Sequence, residues 1–400
     1  MPKASPNGVC CEKVAKELAA RGYRVFVGCY REQTMPDQEE IDGIQVRKVL
    51  TYEKTGHKKP LEKIGDYGKW LNPFLAYPPA AIPQRVAAIE AAAERIVAAE
   101  MIDTVICVHL PIETLIAGQR LRKKHPEIRF YAYMLDSMSG GFCPRFLPEP
   151  FARGRKLSWE RRLLDDFDRV ILMESSRAHH AQYAKQQKWL SKAVFSDIPL
   201  MVPTVLPEGG SRQSLDKIRI VFTGTMADGV RTPYFFLNLL GKVKGYSMEL
   251  VFAGHNFCKK DIAEMAADIH QVRLKHMGTL PHGEALELIS SADVLLNLGN
   301  TNSALVPSKI FEYMSFGKPI ISTYCTERDA SLAYLNQYPL LLALDERCTD
   351  LEEQARKLER YFAQMAHRQI SYLEVSRIFK QNTPGAFVDV LESWDQGITC

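Results

Sequence analysis

The sequence predicts an α/β protein built of two domains. Strand and helix signals alternate along both halves of its 400 residues, the pattern of parallel sheets covered by helices. A stretch rich in Pro, Gly and Ser, residues 202–216 (VPTVLPEGGSRQSLD), interrupts that alternation and marks a linker. With 46% hydrophobic and 24% charged residues, the chain has apolar material for two cores, since single domains run to about 100–200 residues.

In the first half, apolar periodicity predicts a helix over 11–21, strands over 23–29 and 44–49, an Ala-rich helix over 82–100 and a strand over 104–109. A helix over 114–124, a strand over 129–135, a helix over 159–167 and a strand over 170–173 follow, with helical signal again over 175–189. The second half restarts with strands over 218–222, 248–253, 272–276 and 292–298. Helices over 233–243, 259–270 and 283–291 alternate with them, and further helical signal covers 348–365 and 371–394.

The net charge of +4 is too mild to argue for nucleic acid, though it tolerates an anionic substrate or membrane surface. No unbroken apolar run reaches the ~18 residues of a membrane span, and no signal-peptide pattern opens the chain, so a cytoplasmic protein is expected. The nine cysteines form no paired C-x-x-C frame and Cys10 adjoins Cys11, which predicts reduced thiols rather than a zinc or disulfide scaffold.

The most informative passage is 297–323, NLGNTNSALVPSKIFEYMSFGKPIIST. A buried strand runs into a polar loop, and Pro307-Ser308 then opens a helix whose first amides have no partner within the helix. Amides and dipole there suit an anion such as a diphosphate. Lys309 adds a full charge, and Glu312 lies on the same side of the turn as Ser308 and Lys309, where its carboxylate can accept two ribose hydroxyls. Taken singly, Pro-Ser is an ordinary cap, Lys309 a solvated charge, and Glu312 its ion-pair partner. Together after a buried strand they are more specific. PSKIFEYMSFGKPII resembles the donor-site signature of retaining glycosyltransferases of family 4, which have the GT-B fold of two Rossmann-like domains facing a cleft.

That resemblance implies an N-terminal acceptor domain (1–202), a C-terminal nucleotide-sugar domain (203–380) and a last helix (381–400) returning to the first domain. It carries further residues. Gly224-Thr225 follows a strand and precedes a helix near Arg231, so the turn is expected to approach the donor diphosphate with Arg231 supplying charge; the plain alternative is an ordinary turn and a surface Arg. The family's basic pair in this loop is here Thr225 and Arg231. Leu280, in Gly278-Thr279-Leu280-Pro281, falls in a loop that lines the family's base pocket. In the first domain His109 and Asp136 each end a strand, where open α/β sheets bind ligands. VHLPIETLIAG resembles the family segment whose histidine faces the donor sugar, whereas Asp136 reads equally as an acceptor-site residue or a turn cap. The glycines that follow Asp136 are expected to let an acceptor approach the backbone.

Asn7-Gly8 resembles the glycine loop between the family's first strand and helix, but MPKASPNG leaves no room for that strand, so the first sheet is expected to lack a normally central member. Ala304 stands where the family's E-x7-E pattern has its first Glu. The implied reaction moves a sugar, from a UDP-sugar by preference, to an acceptor hydroxyl with retention, for cell-surface glycan or polysaccharide synthesis. No cofactor or metal is called for, because Arg231, Lys309 and helix-start amides meet the diphosphate charge. A glycan or lipid-linked acceptor is expected. Peripheral membrane contact is expected through the segment 54–83, where lysines mix with Trp70, Phe74, Leu75 and Tyr77. The alternatives are a nucleotide-sugar epimerase of the same architecture and a degenerate, non-catalytic nucleotide-sugar-binding protein.

Overall fold

The computed structural model describes residues 6–30, 36–49, 68–141, 143–144, 146–203, 217–301 and 306–395. Residues 204–216 of the linker expected over 202–216, Ala304, and residues 54–67 of the segment 54–83 lie outside them. The chain divides into two compact units, residues 1–199 with 384–400, and residues 200–383.

In the first unit the described strands form two sheets. One is β1 (Val25–Tyr30), β3 (Ile44–Val49) and β2 (Gln38–Ile41) in the order β1-β3-β2, and the other is the parallel sheet β4 (Thr104–His109), β5 (Arg129–Met134), β6 (Arg169–Met173), β7 (Ala193–Ser196). No strand joins the two among the described residues. The β2–β3 hairpin escaped the apolar pattern because β2 is QEEI, but its turn is Asp42-Gly43 with φ of 52° and 76°, the left-handed pair that a tight hairpin demands.

The first helix is Pro6–Ala20, so Asn7 and Gly8 lie in its first turn and not in a loop. Pro6 explains the earlier start: its fixed φ and missing N–H suit the first helical position. The helix expected over 159–167 runs from Glu149 to Leu164, with Pro150 in its first turn. Its Trp159 is fully buried and donates its indole N–H to the Leu75 carbonyl at 2.9 Å.

The segment expected at a headgroup interface is largely turned inward. Trp70 packs edge-on against Trp159 at 5.1 Å, and Leu75 and Tyr77 pack on the same core, while Phe74 is 88% and Leu71 61% exposed. Burying an aromatic against a core gains more than leaving it wet, about 1.5–3 kcal/mol for a Phe-sized group. No described helix is long and apolar enough to cross a membrane.

The second unit holds one parallel sheet of β8 (Lys217–Thr223), β10 (Ser247–Ala253), β12 (Val272–His276), β13 (Val294–Asn297), β14 (Ile320–Tyr324) and β15 (Leu341–Asp345), in the order β12-β10-β8-β13-β14-β15. A small ladder of β9 (Met226–Ala227) and β11 (Asn256–Phe257) lies beside it. Central strands such as β8 and β10 are mostly apolar and buried, with buried Glu249 paired to Arg219 at 2.7 Å. Helical signal over 371–394 resolves into Tyr372–Ile378 and Pro384–Asp395, broken at Pro384.

The last of these helices belongs to the first unit. Arg21 bonds Asp389 at 2.8 Å, Glu392 at 2.7 Å and the Gly385 carbonyl at 2.9 Å, while Phe387 packs on Tyr133 at 4.7 Å and Trp394 on Tyr131 at 5.1 Å. The described cysteines are free thiols.

Candidate functional site

The order of the second sheet reverses between β8 and β13. Loops leaving the carboxyl ends of these strands diverge, and ligands of open α/β sheets bind at such a switch point. β8 ends in Thr223-Gly224. The Gly224 N–H bonds the Ala253 carbonyl at 2.8 Å, and the Gly254 N–H bonds the Gly278 carbonyl at 2.7 Å, so the turns after β8, β10 and β12 are stacked. Gly254 has φ of +129°, and a Cβ there would lie 2.1 Å from the Gly224 carbonyl oxygen. Only glycine permits this approach. Thr225 is exposed beyond the turn, and Leu280 is half-buried in the loop after β12.

Arg231 is held by a tight turn. Its N–H and carbonyl both bond Ala227, at 3.0 Å each, around Gly229 with φ of +73°. Its Nε is buried without a hydrogen-bond partner. Burial pushes the guanidinium below its ordinary range, against the pull of Tyr313 and Asp329 nearby. A half-buried cation with an unpartnered Nε at a switch point can bond an anion.

The helix Lys309–Ser315 is pinned to the same edge by Tyr313, whose hydroxyl accepts the Thr223 N–H at 2.7 Å. Ser308 precedes this helix in a helical conformation and makes no side-chain cap bond, so the plain reading of Pro-Ser as an ordinary cap does not apply. With seven residues the helix has little dipole, so the charge available to a ligand rests on side chains. Lys309 Nζ lies 2.5 Å from Glu312 Oε2, and His282 Nε2 lies 4.0 Å from Glu312 Oε1. The ion pair and the ligand-binding readings of Lys309 and Glu312 therefore concern the same two side chains. Both lie at the surface of the site, Lys309 37% and Glu312 12% exposed.

In the first unit the structure brings His109 and Asp136 together. His109 is 4% exposed at the end of β4, and its Nδ1 lies 2.9 Å from the Asp136 carbonyl oxygen. A carbonyl only accepts, so Nδ1 carries the proton and Nε2 is the open acceptor of the neutral ring. Burial pushes His109 below the ordinary histidine range, so that neutral form prevails at pH 7. The Asp136 side chain is exposed. Beyond it the loop is fastened from below: Ser139 donates its N–H and O–H to buried Glu160 at 3.2 and 2.6 Å, and burial pushes Glu160 up to about 7. A Cβ at Gly140 would meet Ser137 Oγ at 2.9 Å, so that glycine serves the loop's own closure.

Solved structures of this architecture match the chain over nearly its whole length. Sucrose-phosphate synthase from Thermosynechococcus elongatus has 14% identity and a TM-score of 0.61, covering 99% of this chain and 95% of that one. An α,α-trehalose-phosphate synthase (UDP-forming) from Burkholderia xenovorans, in complex with glucose-6-phosphate, has 12% identity and a TM-score of 0.58, covering 99% and 96%. HepE from Anabaena, in complex with UDP and glucose, has 13% identity and a TM-score of 0.55, covering 98% and 97%. The fold is GT-B.

No family model and no curated protein matches the sequence.

On this GT-B frame the predicted residues fall into groups. Gly224, Thr225, Arg231, Leu280, Ser308, Lys309 and Glu312 belong to loops or a helix start in the second unit; His109 and Asp136 are neighbours in the first; Asn7 and Gly8 are helical and form no glycine loop. Sequence reasoning missed Gly254, Tyr313 and Asp329. For Gly254 the signal was present: VFAGH repeats the pattern of VFTGT, an apolar strand running into glycine. For Asp329, buried in a loop and accepting the Ser331 N–H at 2.9 Å, no local signal exists.

Proposed function

We propose that the chain is a glycosyltransferase of the retaining GT-B type, related to family 4, moving a sugar from a nucleoside-diphosphate sugar, by preference a UDP-sugar, to an acceptor hydroxyl. The observation that carries this reading is Arg231: a half-buried guanidinium with a buried, unpartnered Nε, placed at the switch point beside the helix of Lys309 and Glu312. The sugar's anomeric carbon leaves the diphosphate oxygen and bonds the acceptor oxygen on the same face. The acceptor proton passes to the departing diphosphate, and Arg231 and Lys309 stabilise the negative charge that grows there, with no metal ion required. Neutral His109, with Nε2 open, accepts a hydrogen bond from a donor-sugar hydroxyl, and Asp136 orients the acceptor. The pathway in this reading is cell-surface glycan or polysaccharide synthesis.

Glu312 holds the ribose. Titration of UDP by calorimetry is expected to show binding, and Glu312→Ala is expected to lose about 1.5–3 kcal/mol, the worth of hydrogen bonds to a charged acceptor. Wild type should prefer UDP to 2′-deoxy-UDP, and Glu312→Ala should bind the two alike. Equal binding of both by wild type would take the ribose away from Glu312. Product analysis separates transfer from epimerisation: isomerised donor formed without acceptor points to an epimerase, and donor binding without any turnover points to a binding protein.

A lipid-linked acceptor, met at a membrane surface, belongs to the same reading. It is supported by exposed Leu71 and Phe74, on a turn whose Asn72 and Pro73 carbonyls are bonded by Arg155 at 2.5 and 3.3 Å. Sedimentation with anionic vesicles should show salt-sensitive binding that Leu71→Ser/Phe74→Ser abolishes; identical pelleting of the variant would leave a soluble acceptor.

A further inference from the structure

We infer that Glu346 reads the hydroxyls of the donor sugar and sets which sugar is accepted; the inference rests on the nucleotide-sugar reading above. Glu346 follows β15 directly, and its N–H bonds the Tyr324 carbonyl at 2.9 Å, which fixes it at the carboxyl edge of the sheet. Its two carboxylate oxygens have different fates. Oε2 accepts from the Cys325 thiol at 3.2 Å. Oε1 is buried and has no hydrogen-bond partner. A carboxylate oxygen removed from water without a donor is costly, and a ligand hydroxyl would supply the missing donor.

The surroundings say what kind of donor. Oε1 lies against the loop after β13, where a Cβ built on Gly299 would meet it at 2.9 Å, so the missing side chain at Gly299 is what admits the carboxylate. Gly299 is fixed by its N–H to Thr323 Oγ1 at 2.8 Å. Two residues on, Thr301 bonds the Val230 carbonyl through its N–H at 2.8 Å and the Gly229 carbonyl through Oγ1 at 2.7 Å. Those carbonyls belong to the turn that holds Arg231. The loop after β14 closes the same ring, with Cys325 on Glu346 at one end and Asp329 near Arg231 at the other.

Arg231 Nε without an acceptor and Glu346 Oε1 without a donor thus both lie shielded from water on loops leaving one sheet edge. A sugar diphosphate satisfies both, with phosphate oxygens on Arg231 and ring hydroxyls on Glu346. Neighbouring acids are already committed. Asp329 accepts the N–H and O–H of Ser331, and Asp345 pairs with Arg347 at 2.6 Å. The Cys325 thiol, pushed up to about 12 chiefly by burial, stays protonated and remains a donor to Glu346, so the free oxygen is the one left to the ligand.

The test compares UDP with UDP-glucose, UDP-galactose and UDP-N-acetylglucosamine on wild type, Glu346→Gln and Glu346→Asp, with thermal unfolding confirming that each variant is folded. UDP affinity should be the same in all three proteins. Affinity for the preferred UDP-sugar should fall about tenfold or more in Glu346→Gln, and less in Glu346→Asp, which keeps the charge but withdraws the oxygens. Discrimination between the sugars should flatten in parallel. If UDP binds and both variants keep the wild-type ranking and affinity for the sugars, the inference is overturned while the nucleotide-sugar reading stands. If wild type binds no UDP, that reading fails and takes this inference with it. A fall in UDP and UDP-sugar affinity by the same factor would make Glu346 a structural support and also overturn it.

Discussion

Arg231→Ala is expected to lower kcat by about 10²–10³, the usual loss when one preorganised charge-stabilising group is removed from an active site. The reason lies in its setting. Arg231 is half-buried with its Nε shielded from water, and that Nε has no protein partner to lose. In the proposed reaction, charge on the diphosphate grows as the glycosidic bond breaks, and the interaction is therefore worth more in the transition state than in the bound donor. Lys309→Ala should act in the same direction but less, because Lys309 is already shared with Glu312 at 2.5 Å and is partly solvated. Steady-state kinetics decide the matter. A raised KM with kcat intact, in both variants, would assign the two cations to ground-state binding alone.

Gly254→Ala is expected to be the most damaging single methyl in the second unit's site. Two costs coincide there: φ of +129°, which side-chain-bearing residues avoid, and a Cβ 2.1 Å from the Gly224 carbonyl oxygen. The atoms that Cβ would meet are Gly224 backbone atoms, so the turns after β8 and β10 must separate. We expect about 3–5 kcal/mol of destabilisation, and a loss of melting temperature of roughly 2–4 °C per kcal/mol in a unit of this size. Gly245→Ala is the control, since Gly245 has φ of +78° with nothing within 4 Å of its Cβ and bears strain without a clash. It should cost about 1 kcal/mol. UDP binding by folded Gly254→Ala should be lost as well. Equal melting temperatures for Gly254→Ala and wild type would show that the two turns are free to separate.

The two variants probe different layers of what was legible. Arg231 and the PSKIFEY string were visible because their chemistry is local: a cation, a proline and a carboxylate at fixed spacing on a short stretch of chain. The alternation of apolar strands with helices was visible for the same reason, since a strand buried on both faces must be apolar throughout. This local information sufficed for the α/β class, and it singled out Arg231, Lys309 and Glu312 as the candidates on which the proposed function rests.

Where local signals competed, the reading slipped. Asn7 and Gly8 suggest a loop, yet Pro6 starts a helix through them, because a proline at the first helical position costs nothing and the apolar face beyond it favours the helix. Trp70, Leu75 and Tyr77 beside lysines suggested an interface, but Trp159 and the helix 149–164 offered them a core. Nothing near residue 70 in the chain announces Trp159.

What the amino-acid order alone established is therefore the class of fold, the two-part organisation and a short motif suited to a nucleotide. Tertiary structure alone decided that Gly254 stacks on Gly224, that His109 donates to the Asp136 carbonyl, that Arg231 Nε is left without a partner, and that Glu346 reaches Gly299 with one buried oxygen unpartnered. Each of these joins loops from different strands of a parallel sheet. Neighbouring strands in such a sheet are separated in sequence by a whole crossover, so residues that meet at its carboxyl edge carry no common local pattern. Burial and hydrogen-bond satisfaction are properties of that meeting.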